Sequence, residues 1–134
     1  MKVIVFSDGA CRGNPGQGAI GGVIKDDKNC VLAELSLCIG QCTNNIAEYK
    51  ALIAVLQKAK DFGALQVEAL ADSELLVKQV QGKYAVKSSL LRPLYLQVVA
   101  LASSFLVFTI KHIPRDQNKR ADELANLAFR SFLT

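Results

Sequence analysis

The sequence predicts an α/β fold built on one mixed sheet with helices on its faces. Two observations carry this. Three short apolar runs open the chain, the second and third joined by turn-forming residues that make a hairpin. Beyond residue 43 the pattern changes to helical stretches alternating with short apolar runs, which requires helices packed against a sheet. The expected order is β-β-β-α-β-α-α-β-α, and the 134 residues suit a single domain over 1–134.

Each element has its own warrant. Val3 to Ser7 is a short apolar run consistent with a buried strand. Residues 9–18 hold four of the nine glycines plus Pro15 and are expected to form a loop. Ala19 to Lys25 and Val31 to Ile39 read as strands, with Asp26-Asp27-Lys28-Asn29 as the turn between them. Thr43 suits the N-cap of a helix that Gly63 would stop. Gln66 to Ala71 is the fourth strand, followed by a helix from Ser73 to Val80 that ends near Gly82. Ser88 or Ser89 is expected to cap a helix running to about Ser103. Leu106 to Lys111 is the fifth strand, and Gln117 to about Phe132 the last helix.

Composition narrows the function classes. Half the chain is apolar (51%), enough for a sizeable core. No run approaches the length of a membrane span, and the apolar start at Val3 reaches Asp8 too soon for a secretory leader. A soluble cytoplasmic protein without a membrane partner is expected. The four cysteines are then free thiols by default. Cys38 and Cys42 lack the further ligands a zinc site needs, and Cys30 and Cys38 are candidates to face each other across a hairpin. The net charge of +4 is suggestive of a polyanionic partner rather than diagnostic. Lys111, Arg115, Lys119 and Arg120 surround the only histidine, and Lys78, Lys83, Lys87 and Arg92 form a second basic stretch. An ordinary solvated face is an equally good account of either group taken alone.

Four carboxylates stand at element ends, where side chains from different elements can converge on one cation. Asp8 ends the first apolar run and Asp72 the fourth. Glu48 lies one turn into the first long helix and Asp122 near the start of the last. At about 100° per residue, Leu52, Val55, Ala59 and Phe62 fall within about 40° of Glu48, so Glu48 shares the apolar face. A carboxylate there needs a cation, a buried arginine or hydrogen bonds to meet it. Taken singly, Asp72 also reads as a helix N-cap and Asp122 as a first-turn acid favoured by the helix dipole. The set of four in these contexts is the specific signal.

The same residues resemble a known family. Asp8-Gly9-Ala10-Cys11-Arg12-Gly13-Asn14-Pro15-Gly16 resembles the opening motif of type 1 ribonuclease H, and Thr43-Asn44-Asn45-Ile46-Ala47-Glu48-Tyr49 its first-helix motif. Asp72-Ser73-Glu74-Leu75-Leu76-Val77-Lys78-Gln79 is similar to its strand-end motif, and His112 through Asp122 to its last loop and helix start. The match runs the length of the chain, in order and at family spacing. It implies a ribonuclease H-like five-stranded mixed sheet flanked by helices, and cleavage of the RNA strand of an RNA/DNA hybrid. The products would carry 5′-phosphate and 3′-hydroxyl ends.

The resemblance further implies two Mg²⁺ ions, or Mn²⁺, held by Asp8, Glu48, Asp72 and Asp122, with His112 assisting proton transfer or product departure. All-oxygen ligation suits Mg²⁺, and paired divalent ions position the nucleophile and neutralise the charge that develops on the phosphoryl group. Asn14, Asn44 and Gln79 are then candidates for contacts to the 2′-hydroxyl or the minor groove. Thr43 and Asn45 are placed to bind a phosphate of the DNA strand at a helix start. Lys83, Lys87 and Arg92 are candidates to track backbone phosphates.

Two departures from the family pattern matter. Many members carry a basic, Trp-containing protrusion, whereas this chain has no Trp and no room for such an insertion. An additional N-terminal hybrid-binding module is not expected either. A compact, monomeric form with weaker and less processive binding is expected; a broader duplex nuclease that also cuts double-stranded RNA, as some compact members do, is the alternative. Rival readings are a non-catalytic nucleic-acid-binding module on the same fold and a different phosphoryl-transfer enzyme of the broader superfamily. A phosphatase or kinase built on the segment 9–18 is disfavoured, because that segment lacks the Gly-Lys-Ser/Thr of a P-loop.

Overall fold

The computed structural model describes the backbone of residues 1–133 and the side chains of residues 1–130. Strands β1 (Lys2–Gly13), β2 (Gly16–Asp26) and β3 (Val31–Cys42) precede helix α1 (Asn44–Asp61). Then follow β4 (Gln66–Ala71), α2 (Glu74–Val80), α3 (Arg92–Ser103), β5 (Val107–His112) and α4 (Lys119–Leu133). A single 3₁₀ turn, Arg115–Gln117, leads into α4. The expected element order holds. The five strands form one sheet in the order β3-β2-β1-β4-β5. β1 pairs antiparallel with β2 and parallel with β4, so the sheet is mixed. Among the described residues no helix is long and apolar enough to cross a membrane.

Two adjacent glycines show how the helices are arranged. A Cβ at Gly21 would collide with the Ala121 carbonyl of α4, while one at Gly22 would meet Val55 of α1. Successive strand residues point to opposite faces, so α1 and α4 cover opposite sides of the sheet. The main core lies on the α1 side and gathers Val3, Val5, Ile24, Leu52, Val55, Leu56 and Val67 with Val98 of α3. A smaller cluster of Ala19, Ala128 and Phe129 lies under α4.

The segment 9–18 is not a loop. β1 runs on to Gly13 and β2 starts at Gly16, leaving a tight turn around Asn14 and Pro15. Only Gly13, at φ +93°, needs glycine for its backbone conformation there. The others serve close approach. A side chain on Gly9 would strike the Ala47 carbonyl, and one on Gly18 would strike the Cys42 sulfur. Glycine inside a strand marks another group pressed against it, which composition alone cannot separate from loop chemistry.

Three smaller expectations also change. The third helix begins at Arg92 rather than Ser88, because a start at Ser88 would place Pro93 beyond the first turn, where its missing N–H breaks the ladder. Ser88 instead organises the preceding turn, its hydroxyl accepting from the N–H groups of Leu90 and Leu91 at 3.3 Å each. Phe62 is the C-cap of α1, is exposed and lies against Lys58, so it does not share the buried face of Glu48. Cys30 and Cys38 do not face each other across a hairpin, because Cys30 immediately precedes the strand that contains Cys38. All four thiols are free, and Cys38 donates to the Ala128 carbonyl at 3.0 Å.

Candidate active site

Strand register places the first two carboxylates. Ser7 of β1 pairs with Ala71 of β4, in parallel, and that pair is the last of the ladder. Asp8 and Asp72 are the next residues along and therefore stand side by side, Asp72 just beyond the end of β4 and Asp8 still within β1, paired with Gly21 of β2. Their parity is opposite to that of the buried Val5 and Ala69, which turns them toward the α4 side. Asp122 enters from the first turn of α4.

Glu48 arrives from the other face, and Gly9 is what permits it. With no side chain at Gly9, the first turns of α1 press against β1 at Ala47 and bring Glu48 close to Asp8. Thr43 sets the helix start, its hydroxyl accepting from the Ile46 N–H at 3.4 Å. Ligand oxygens of Asp8, Glu48 and Asp72 then lie within 4.8 Å of one another. Together with Asp122, Arg115, Cys11 and Asn44 they line an open cavity of about 470 Å³.

The charges in this cavity are unbalanced. Burial first, then the neighbouring carboxylates of Asp72 and Asp122, pushes Asp8 up to about 8. Burial, then Asp8 and Asp72, pushes Glu48 up to about 9. Arg115 opposes both shifts but does not cancel them. Among the described residues the single ion pair made by any of the four acids is Arg115 to Asp122, at 3.8 Å. Clustered carboxylates with so little cationic compensation form an all-oxygen donor set suited to a hard divalent cation.

The other expected site residues divide into groups. Asn14, Thr43, Asn44 and Asn45 line a second groove beside the cavity, together with Ser88. Asn44 borders both. Its Oδ1 accepts from the Cys11 N–H at 3.2 Å and from the Cys11 thiol at 3.1 Å, which leaves its NH₂ group to face outward. Asn14 fixes Asn44 in turn, accepting from its backbone N–H at 3.1 Å. Gln79 is buried; its Oε1 accepts from Tyr49 Oη at 2.7 Å and its Nε2 donates to the Ala85 carbonyl at 3.4 Å.

His112 is exposed at the end of β5, in register with Ala71, and is not among the residues that line the cavity. Lys83, Lys87 and Arg92 are exposed on the segment around the start of α3 and do not line it either. The basic group around His112 is largely neutralised. Lys111 pairs with Glu68 at 3.6 Å, and Arg120 pairs with Glu34 and Glu123. From sequence Arg115 stands out only as part of a basic group and Ser88 only as a helix cap, while Cys11 and Asn118 carry no site assignment of their own. Arg115 and Asn118 lie inside the motif from His112 to Asp122, but nothing local marks which of its polar residues turn inward.

Comparison with known proteins agrees with this arrangement. The family model described as "Reverse transcriptase-like" matches residues 6–128. The bifunctional protein Rv2228c of Mycobacterium tuberculosis is 46% identical over 94% of this chain, which spans only 35% of that protein's length. A ribonuclease H of Geotalea uraniireducens is 33% identical, with 98% of this chain and 97% of that protein covered. The crystal structure of LC11-RNase H1 in complex with RNA/DNA hybrid superimposes with a TM-score of 0.93 at 42% identity, covering 98% of this chain and 99% of that one. With its five-stranded mixed sheet and a relative matched end to end, this chain belongs to the ribonuclease H family, in its compact type 1 form.

Proposed function

We propose that this protein is a metal-dependent endoribonuclease that hydrolyses the RNA strand of RNA/DNA hybrids, with residues 1–134 acting as one catalytic domain. The observation that carries the reading is the convergence of Asp8, Glu48 and Asp72 within 4.8 Å, with Asp122 in the same cavity. The hybrid bound by LC11-RNase H1, a protein of 42% identity, supports the substrate class.

Asp8, Glu48, Asp72 and Asp122 would hold two divalent cations, Mg²⁺ or Mn²⁺. When bound, such ions activate the attacking water and neutralise charge on the phosphoryl group, leaving 5′-phosphate and 3′-hydroxyl ends. The chain's own groups do the rest. The carboxylates orient the site through their fixed positions within β1, just past β4 and on the first turns of α1 and α4. Arg115, beside Asp122 and mostly exposed, is placed to meet a phosphate oxygen. The outward NH₂ of Asn44 offers donors to a 2′-hydroxyl or base edge, held in place by Cys11 and Asn14. Thr43, Asn45 and Ser88 line a groove beside the start of α1, where free N–H groups favour a phosphate of the DNA strand. Lys83, Lys87 and Arg92 add sequence-independent attraction that weakens with salt. Gln79 acts from the interior and holds α1 against α2. His112, exposed at the end of β5, would assist proton transfer or product departure, as the family resemblance implies. All four carboxylates come from one chain, which supports a monomer on one duplex as the working unit.

The test is cleavage of strand-labelled duplexes with Mg²⁺, Mn²⁺ or EDTA, using RNA/DNA hybrid, double-stranded RNA, double-stranded DNA and single-stranded RNA. Metal-dependent cutting of the RNA in the hybrid, lost in Asp8→Asn, is the expected result. Cutting of double-stranded RNA as well would keep the chemistry and widen the substrate. Binding without cutting would overturn the enzymatic reading in favour of a binding module.

A further inference from the structure

Asn118 lies where three parts of the cavity meet. Its backbone N–H donates to the Arg115 carbonyl at 3.0 Å, closing the turn that carries Arg115. Its carbonyl accepts from the Asp122 N–H at 3.2 Å, in the first turn of α4. Its side-chain Nδ2 donates to the Ser7 carbonyl at 2.9 Å, the carbonyl of the peptide that leads into Asp8. Arg115, Asp122 and the Asp8 peptide are thus each one hydrogen bond away from a single residue. Two of those bonds belong to the backbone. The third, between β1 and α4, exists only because residue 118 has an amide side chain.

That amide is an inefficient stabiliser. Asn118 is 2% exposed, and its Oδ1 has no hydrogen-bond partner among the described residues. A buried polar atom left unpaired opposes folding, and an apolar side chain of similar volume would fill the space without that penalty. What the amide adds is a fixed link between the strand bearing Asp8 and the helix start bearing Asp122. Groups behind metal-binding side chains set their spacing in this way.

We propose that Asn118 is a positioning residue whose Nδ2–Ser7 bond sets the spacing of Asp8 against Asp122 and so tunes cation binding and turnover. This rests on the reading of those carboxylates as cation ligands.

The experiment measures Mn²⁺ binding by calorimetry without nucleic acid, kcat and KM on a hybrid duplex, and thermal unfolding. The proteins are wild type, Asn118→Ala, Asn118→Leu and a control, Val98→Ala, in the core cluster and away from the residues lining the cavity. The expected result for either Asn118 variant is Mn²⁺ affinity and kcat reduced about 10–100-fold, with KM within about twofold. Val98→Ala should lower the unfolding temperature while leaving Mn²⁺ affinity and kcat unchanged. A folded Asn118 variant with wild-type Mn²⁺ affinity and kcat overturns the proposal, as does a loss no larger than that of Val98→Ala. If Asn118→Ala does not fold, Asn118→Leu, which restores the volume, decides between the same outcomes. Wild-type protein that binds no Mn²⁺ would instead overturn the reading of the site itself, a result separable from the first.

Discussion

Tyr49 donates its hydroxyl to the Gln79 side-chain oxygen at 2.7 Å, joining α1 to α2 directly behind the carboxylates. Both residues are buried, and burial pushes the Tyr49 hydroxyl up to about 12, so it remains a donor throughout the working pH range. Tyr49→Phe removes the donor and strands an acceptor in the interior. Urea unfolding should show a loss of about 1–3 kcal/mol. The double variant Tyr49→Phe/Gln79→Leu should recover part of it, because neither partner is then left unpaired. A Tyr49→Phe protein as stable as wild type would show that water meets Gln79 instead.

The acid cluster makes the metal-free protein sensitive to alkali. In the unfolded chain Asp8 and Glu48 ionise near pH 4, whereas in the folded protein they keep their protons up to about 8 and about 9. The folded state therefore binds more protons between those limits, and stability falls as pH rises. The contribution is fully present below about pH 4 and is lost as pH rises through about 8 to 9. In EDTA, Asp8→Asn and Glu48→Gln should each be more stable than wild type at pH 9, by on the order of 1 kcal/mol and with a higher unfolding temperature, the gap closing toward pH 5. Both variants should be inactive. Thermal scans across this range check the sign, and equal slopes for wild type and variants would contradict it.

Among the described residues Arg115 is the one cation lining the cavity, and its side chain is 82% exposed. Arg115→Ala should weaken hybrid binding and reduce the slope of log affinity against log salt by about 1, the signature of one lost phosphate contact. Folding stability should change little, because an exposed ion pair contributes about 0–1 kcal/mol. Binding isotherms at several salt concentrations measure the slope directly.

Gly9 tests the close approach that delivers Glu48. A methyl group there meets the Ala47 backbone rather than a side chain able to move aside. Gly9→Ala should cost about 3 kcal/mol or more and displace α1. Gly63, at φ +78° with open space around it, is the contrast. Gly63→Ala should cost only about 1 kcal/mol, through backbone conformation alone. Denaturant unfolding of the two variants separates packing from conformational cost.

The order of elements and the four acids were legible because each depends on local information. Strand and helix periods are set by neighbouring residues, as with the exact match of Gln66–Ala71 to the fourth strand. Asp72 could be placed because an acid ending an apolar run stands where the strand stops, whereas at Asp8 the apolar run ends but β1 continues to Gly13. What only the tertiary structure decided depends on contacts between segments distant in sequence. The glycines of 9–18 read as a loop until α1 and Cys42 are seen pressed against them. Gln79 reads as an exposed contact until Tyr49, thirty residues earlier, encloses it. Asn118 is unremarkable in sequence because its partner, the Ser7 carbonyl, is 111 residues away and is a backbone group that no side-chain pattern reveals.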